Sequence, residues 1–166
     1  MMAEYKTKFA SIDDYTKGGI QILNEDPKRF VFSNLYEVAA TSAPYERVVV
    51  AKNLDYTIEV SRAENTSDWY VCSHDEFVVA MDYDVEVHFV KLDDEKVVDE
   101  NQDGAVKLQG HPDGRKMGRI LMKRGHQALL PEKVAYRFQA SAPATLMLQT
   151  LIGQESVEKW GDICIK

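Results

Sequence analysis

From Phe30 onward, apolar residues recur at every second position in short runs separated by turn residues. That is the period of a strand with one face toward a core. DYTIEVSR sets Tyr56, Ile58 and Val60 on one face. EFVVAM and DVEVHFVKL follow, joined by the acidic turn Asp82-Tyr83-Asp84, and then RILMK, QALL, VAYRFQA and ATLMLQTLI. Upstream, FVFSNLYEV and ERVVVAKN flank the small polar stretch ATSAPY and predict a long hairpin over Asn34–Val50. About nine short strands with turn signals between them predict an all-β sandwich or small barrel.

Two segments break this pattern. At the N-terminus, Ser11 with Asp14 resembles a capping box, and Ile12 and Tyr15 lie three apart, so a short helix is expected. Gly18-Gly19 weakens or ends the helix, and Pro27 closes the leader. Residues 1–28 therefore read as a partly helical arm and 29–166 as the β domain. The second segment, Asp93–Gly118, is polar and rich in turn residues, which predicts a long surface connection. Its acidic first half lacks the spacing and fixed glycine of a calcium loop.

Composition narrows the class. The chain has 166 residues, 45% hydrophobic and 28% charged, with a formal net charge of −7. That suits one domain with a sizeable core and argues against nucleic acid or an anionic membrane as partner. No apolar run approaches membrane-spanning length, and MMAEYKTKFASIDDY carries no apolar signal stretch, so a cytoplasmic protein is expected. Cys72 and Cys164 fit no metal or redox spacing and read as two reduced thiols.

Two stretches then matter for chemistry. In GHQALLPEKVAYRFQA, Gly125 is followed by five residues and Pro131, and Tyr136 and Ala140 come five and nine residues after that proline. SDWYVCSHDEFVVAMDYDVEVHF centres on Glu76, with a turn at Tyr83 seven residues on. Together these resemble the two halves of the cupin signature, which implies a jelly-roll-like β-barrel. Tyr136 stands at a metal-binding histidine position and Lys133 at a conserved-spacing glycine. Counting back from Glu76, the longer spacing puts Trp69 and Val71 at the histidine pair, and the shorter one puts Tyr70 and Cys72 there. Neither supplies a histidine. Cupin iron sites use several His and a carboxylate, so the aligned set Trp69, Val71, Glu76 and Tyr136 predicts a degenerate site with no metal of its own. The mouth of the barrel would be plugged by side chains, with Glu76 as hydrogen-bond partner of the Tyr136 hydroxyl.

The four histidines are scattered. His74 lies two residues from Glu76 and would share its face in a strand. His88 points outward with Glu86 if Val85, Val87 and Phe89 face the core. His111 falls in the turn HPDG, and His126 lies outside the motif's ligand position. Met117, Met122 and Met147 read as core filler. The basic run Arg115, Lys116, Arg119, Lys123 and Arg124 reads as a solvated or interface face.

The degenerate cupin positions, the run GRKMGRILMKRGHQALLPEKVAYRF and the closing LIGQESVEKWGDICIK resemble the small subunits of hydroquinone 1,2-dioxygenases. These are two-component ring-cleaving enzymes of para-nitrophenol and related phenol degradation. The resemblance implies a heterotetramer of two small and two large subunits (α2β2), with Fe(II) in the large subunit's cupin. It also implies conversion of hydroquinone and O₂ to 4-hydroxymuconic semialdehyde, with no catalytic residue in this chain. Such a subunit would serve assembly and shape the partner's substrate pocket. Tyr36, Pro44, Tyr45 and Arg47, at the expected hairpin, are candidates for pocket or partner contact, since Tyr and Arg are enriched at binding hot spots. Two alternatives stand beside this reading. One is a stand-alone metal-dependent cupin using Glu76, His74 and a further His. The other is a cupin-fold binding module without catalysis.

Overall fold

The computed structural model describes residues 8–9 and 31–160. Most of the expected N-terminal arm, with Ser11, Asp14, Gly18, Gly19 and Pro27, lies outside the described residues, as does Cys164. Within the arm, β1 (Lys8–Phe9) pairs antiparallel with β2 (Val31–Phe32). The chain continues through α1 (Leu35–Thr41), β3 (Arg47–Asn53), β4 (Tyr56–Thr66), β5 (Tyr70–Val71), β6 (Glu76–Ala80) and β7 (Val85–Leu92). A single 3₁₀ turn (Glu95–Val97) precedes β8 (Val106–Lys107), β9 (Gly114–Met122), β10 (Gln127–Leu130), β11 (Val134–Leu151) and β12 (Ser156–Val157).

β11 organises the barrel. Its 18 residues pair through their first half with β7 and β5, and through their second half with β4 and β6. The register shifts between Ala140 and Ala144, and there the strand passes from one layer to the other. One layer runs β10-β6-β11-β4-β3-β12, and the other joins β9, β7, β11, β5 and β8. The sequence had split β11 into VAYRFQA and ATLMLQTLI, because the small residues between them carry no apolar alternation. The expected all-β, cupin-type, jelly-roll-like barrel is the observed fold.

Three clusters fill it. Inside the barrel lie Tyr70, Cys72, Val78, Val87, Met122, Leu130, Tyr136, Phe138, Leu146 and Leu148, among others. A second cluster sits under α1, and a third joins Trp69, Val71, Val90, Leu92, Val98 and Ala135.

The expected Asn34–Val50 hairpin does not form. Its first arm is α1, which starts where the Asn34 side chain accepts hydrogen bonds from the backbone N–H of Tyr36 (3.1 Å) and Glu37 (3.3 Å). Leu35, Val38 and Ala39 then fall on one helical face and pack on Val48, Val50 and Val60 of β3 and β4. LYEV fits both periods, and the Asn34 cap decides between them. The stretch after the helix crosses to the barrel rim, where Pro44 bridges Arg62 and Tyr45 takes a φ of 60°.

The long connection is also shorter than expected, because Gly114–Gly118 already belong to β9. β9 pairs with β7 alone and is exposed over all but its last residue, so it has no buried alternation for sequence reading to find. Met117 is 53% exposed, which corrects its assignment to the core; Met122 is fully buried.

Candidate functional site

The centre of the barrel is a buried ionic cluster. β3 contributes Arg47, β4 Glu59, β6 Glu76 and β11 Tyr136, and all four are at most 5% exposed. Arg47 Nε donates to Glu59 Oε2 at 2.5 Å, Nη2 to Glu76 Oε1 at 2.6 Å, and Nη1 to the Tyr136 hydroxyl oxygen at 3.1 Å. The Tyr136 hydroxyl in turn donates to Glu76 Oε2. The hydroxyl of Ser156, on β12, donates to Glu59 Oε1, as does Thr57 at 3.4 Å. The guanidinium fork thus uses three of its donors on two carboxylates and a phenol in a water-poor interior.

Electrostatics follow from that packing. Burial alone would raise the Glu76 carboxyl. The Arg47 charge, with hydrogen bonds from Cys72, Thr150 and Tyr136, outweighs it and holds Glu76 at about 2, against 4.5 ordinarily. Burial works against the charged form of Arg47, but Glu76, Tyr136 and Glu59 raise its pKa well above the usual value. Tyr136 is pushed up by burial and by the Glu76 charge, and Cys72 by burial and the same carboxylate, so both stay protonated near neutrality.

The Glu76 shift has a sign that can be tested. A carboxyl whose pKa falls on folding stabilises the folded chain above its unfolded value and loses that contribution as pH falls. The Glu76 contribution should be complete above about 4.5 and disappear as pH falls toward about 2. Urea unfolding at about pH 7 and about pH 3 should show a smaller loss of stability for Glu76→Gln than for wild type. Equal losses would contradict this assignment.

The structure brings together Glu76, Tyr136 and Arg47 from the sequence-derived candidates, and it moves others away. The shorter cupin spacing is the one that folds inward. Tyr70 and Cys72 face the interior, with the Tyr70 and Tyr136 rings 5.9 Å apart. Trp69 and Val71 face the other side of β5, in the third cluster, so neither blocks the barrel. There Trp69 packs under the Arg137 guanidinium (4.8 Å) and against the edge of His111 (5.3 Å). The reason is the two-residue side-chain period, since a one-residue miscount exchanges the faces. The expected Tyr136–Glu76 hydrogen bond is present.

Arg47, a candidate for pocket or partner contact, is 5% exposed and forms the centre of the buried cluster. Tyr36 stands apart, its hydroxyl donating to the Met81 carbonyl oxygen at 3.3 Å. Pro44 and Tyr45 do line a cleft of about 510 Å³ at the barrel mouth, together with Arg47, Asp68, Tyr70 and Lys107. Tyr45 stacks on Phe138 (6.4 Å between centroids) and donates from its hydroxyl to the Asn65 carbonyl oxygen at 2.9 Å. Burial raises its pKa to about 12.

The histidines do not gather around Glu76. His74 lies in a bend before β6, where Nε2 accepts from the Gly104 backbone N–H (3.0 Å) and Nδ1 faces the Asp75 carbonyl. His88 pairs with Glu86 at 2.9 Å on the outward face of β7, and His126 accepts from the Lys123 N–H. Among the described residues, no three His, Cys, Asp or Glu side chains converge as a metal site. Sequence reading missed Glu59, Thr57 and Ser156. Their polar types were visible in DYTIEVSR and in the C-terminal stretch, but Tyr56 and Ile58 turn out to be the exposed face of β4, and Thr57 and Glu59 the buried one.

No protein-family model and no curated protein matches the chain. Solved structures do. A hydroquinone 1,2-dioxygenase from Sphingomonas sp. TTNP3 with 4-hydroxybenzoate bound contains a chain 51% identical over 99% of this chain and 97% of that one, with a TM-score of 0.84. The chain belongs to the hydroquinone 1,2-dioxygenase family. Hydroquinone 1,2-dioxygenase PnpCD, in complex with Cd²⁺ and 4-hydroxybenzonitrile, holds a second such chain, 42% identical over 100% of this chain and 98% of that one (TM-score 0.82). PnpCD with Fe³⁺ also offers a match of fold alone, 12% identical, covering 82% of this chain but 38% of a longer one (TM-score 0.57). Among the described residues no helix is long and apolar enough to cross a membrane.

The family implies iron, and the interior of this barrel does not fit it. Two carboxylates converge there, but on a guanidinium already bonded to both, and the cupin histidine positions hold Tyr70, Cys72 and Tyr136.

Proposed function

We propose that this chain is the non-catalytic small subunit of an Fe(II)-dependent hydroquinone 1,2-dioxygenase. It works with a larger cupin subunit that holds the iron and cleaves hydroquinone with O₂ to 4-hydroxymuconic semialdehyde, as an α2β2 heterotetramer in the cytoplasm. The observation that carries this reading is the Arg47 cation bonded to Glu76, Glu59 and Tyr136 at the barrel centre. A barrel centre so built leaves no open coordination position among its described residues. Whole-chain likeness to one chain of PnpCD, beside fold-level likeness to a longer chain of the same enzyme, supports a division of labour between two cupins. The chain's role is then assembly, with the Tyr45 rim shaping the partner's pocket.

Reconstitution tests it. The chain alone should cleave no hydroquinone. Added to a larger cupin chain from the same operon or cell, it should form a stable complex and raise ring cleavage from near background. Cleavage by the chain alone, with stoichiometric iron, would favour the self-sufficient cupin. No complex and no gain would favour the binding module.

A further inference from the structure

We propose that the free edge of β9 is the surface on which the larger cupin subunit docks, and that the docking segment is an extended strand alternating apolar with acidic side chains. The proposal rests on the two-subunit reading above and assigns the face of this chain that carries assembly. β9 pairs with β7 along one side and with no described strand along the other. The other strands that end a layer, β8, β10 and β12, are two to four residues long, whereas β9 has nine. In an antiparallel pair every second residue turns its N–H and C=O away from the neighbouring strand. β9 therefore offers a row of main-chain donors and acceptors to one further strand.

Its side chains define what that strand carries. Leu121 lies opposite Glu86 on the outward face of the layer, and Ile120 lies opposite Val87 on the inward face. Both are exposed, as is Met117, so the edge is apolar on both faces of the sheet. The run Gly114–Arg124 also holds Arg115, Lys116, Arg119, Lys123 and Arg124 and no carboxylate, in a chain of net charge −7. Among the described residues only Arg119 of these five is ion-paired, to Glu86 at 2.9 Å. A second copy of the chain suits this edge badly. With no acid on β9, every β9–β9 register sets cations against cations, which is destabilising. An acidic strand is complementary in charge and covers the same apolar side chains. The exposed pair Phe77 and Leu129 offers no such edge, because β6 has a strand on each side and β10 is short.

The test is assembly of the full-length chain with the larger cupin subunit, followed by titration and sizing. Lys116→Glu/Lys123→Glu/Arg124→Glu should leave the melting temperature of the free chain unchanged, since all three side chains are exposed. It should raise the Kd for the partner at least about tenfold. Lys116→Arg/Lys123→Arg/Arg124→Lys keeps the charges and should assemble like wild type. Raising salt from about 0.1 M to about 1 M should weaken wild type more than the charge-reversed variant. Leu121→Asp should also impair assembly, and Phe77→Ser/Leu129→Ser should not. Alternate amides of Gly118–Met122 should exchange hydrogen quickly in the free chain and become protected in the complex. A wild-type complex whose β9 amides stay fast, or a charge-reversed variant that binds as tightly, would overturn the inference and leave the two-subunit reading standing. A wild-type chain that forms no complex would overturn both. A free chain that dimerises through β9 would give the edge to a second copy and overturn the inference as well.

Discussion

Arg47→Met is expected to cost the chain about 3–5 kcal/mol, the usual penalty for removing one partner from a buried ion pair. Methionine nearly matches the arginine stem in volume, so the loss is not one of packing. It arises because Glu76 and Glu59, both fully buried, are left with no positive charge. Hydroxyl donors from Tyr136, Thr57 and Ser156 remain, and they do not supply charge. The same physics predicts recovery. Arg47→Met/Glu59→Gln/Glu76→Gln removes the orphaned charges and should regain most of the lost stability, because replacing a whole buried ionic group is often close to neutral. Urea unfolding of the single and triple variants decides the matter. A single variant within about 1 kcal/mol of wild type, or a triple variant no better than the single, would mean that the cluster is not what holds the barrel centre.

Tyr45→Ala should lower kcat/KM for hydroquinone in the assembled enzyme by up to roughly tenfold, with the complex intact and its iron retained. Tyr45 walls the barrel-mouth cleft, held in place by its stacking on Phe138 and its hydrogen bond to Asn65. Loss of one aromatic contact is worth about 0.5–1.5 kcal/mol, and about 1.4 kcal/mol corresponds to a tenfold change in rate. Tyr45→Phe keeps the ring and should retain most of the activity. Tyr36→Ala should not reproduce the effect, since Tyr36 sits on α1 and bonds to Met81 away from that cleft. Steady-state kinetics on complexes of checked size and iron content provide the comparison. Unchanged kinetics in Tyr45→Ala would remove the rim from any part in the partner's pocket.

The amino-acid sequence by itself determined the β architecture and the cupin frame. Side chains alternate with period two, and turn residues mark strand ends, so QALL, EFVVAM and DVEVHFVKL could be read directly. The second motif also shows in the backbone. Gly125 has a φ of 81°, and Lys133, at the spacing where a cupin has glycine, still holds a left-handed φ of 57°. The absence of histidine at Tyr136 and at either candidate pair of positions before Glu76 (Trp69 and Val71, or Tyr70 and Cys72) was equally legible. The tertiary structure alone decided which face of each strand is inside. Tyr70 and Cys72 rather than Trp69 and Val71 line the barrel, and Thr57 and Glu59 rather than Tyr56 and Ile58 face inward. Local periodicity is symmetric between the two faces of a strand and cannot choose between them; pairing with distant strands does. The cluster is the extreme case. Arg47 lies 89 residues from Tyr136 and 29 from Glu76 in sequence. On its own strand it looked like an exposed charge before an apolar run. Only closure of the barrel brings two buried carboxylates to it, and only their charge makes a buried arginine stable there.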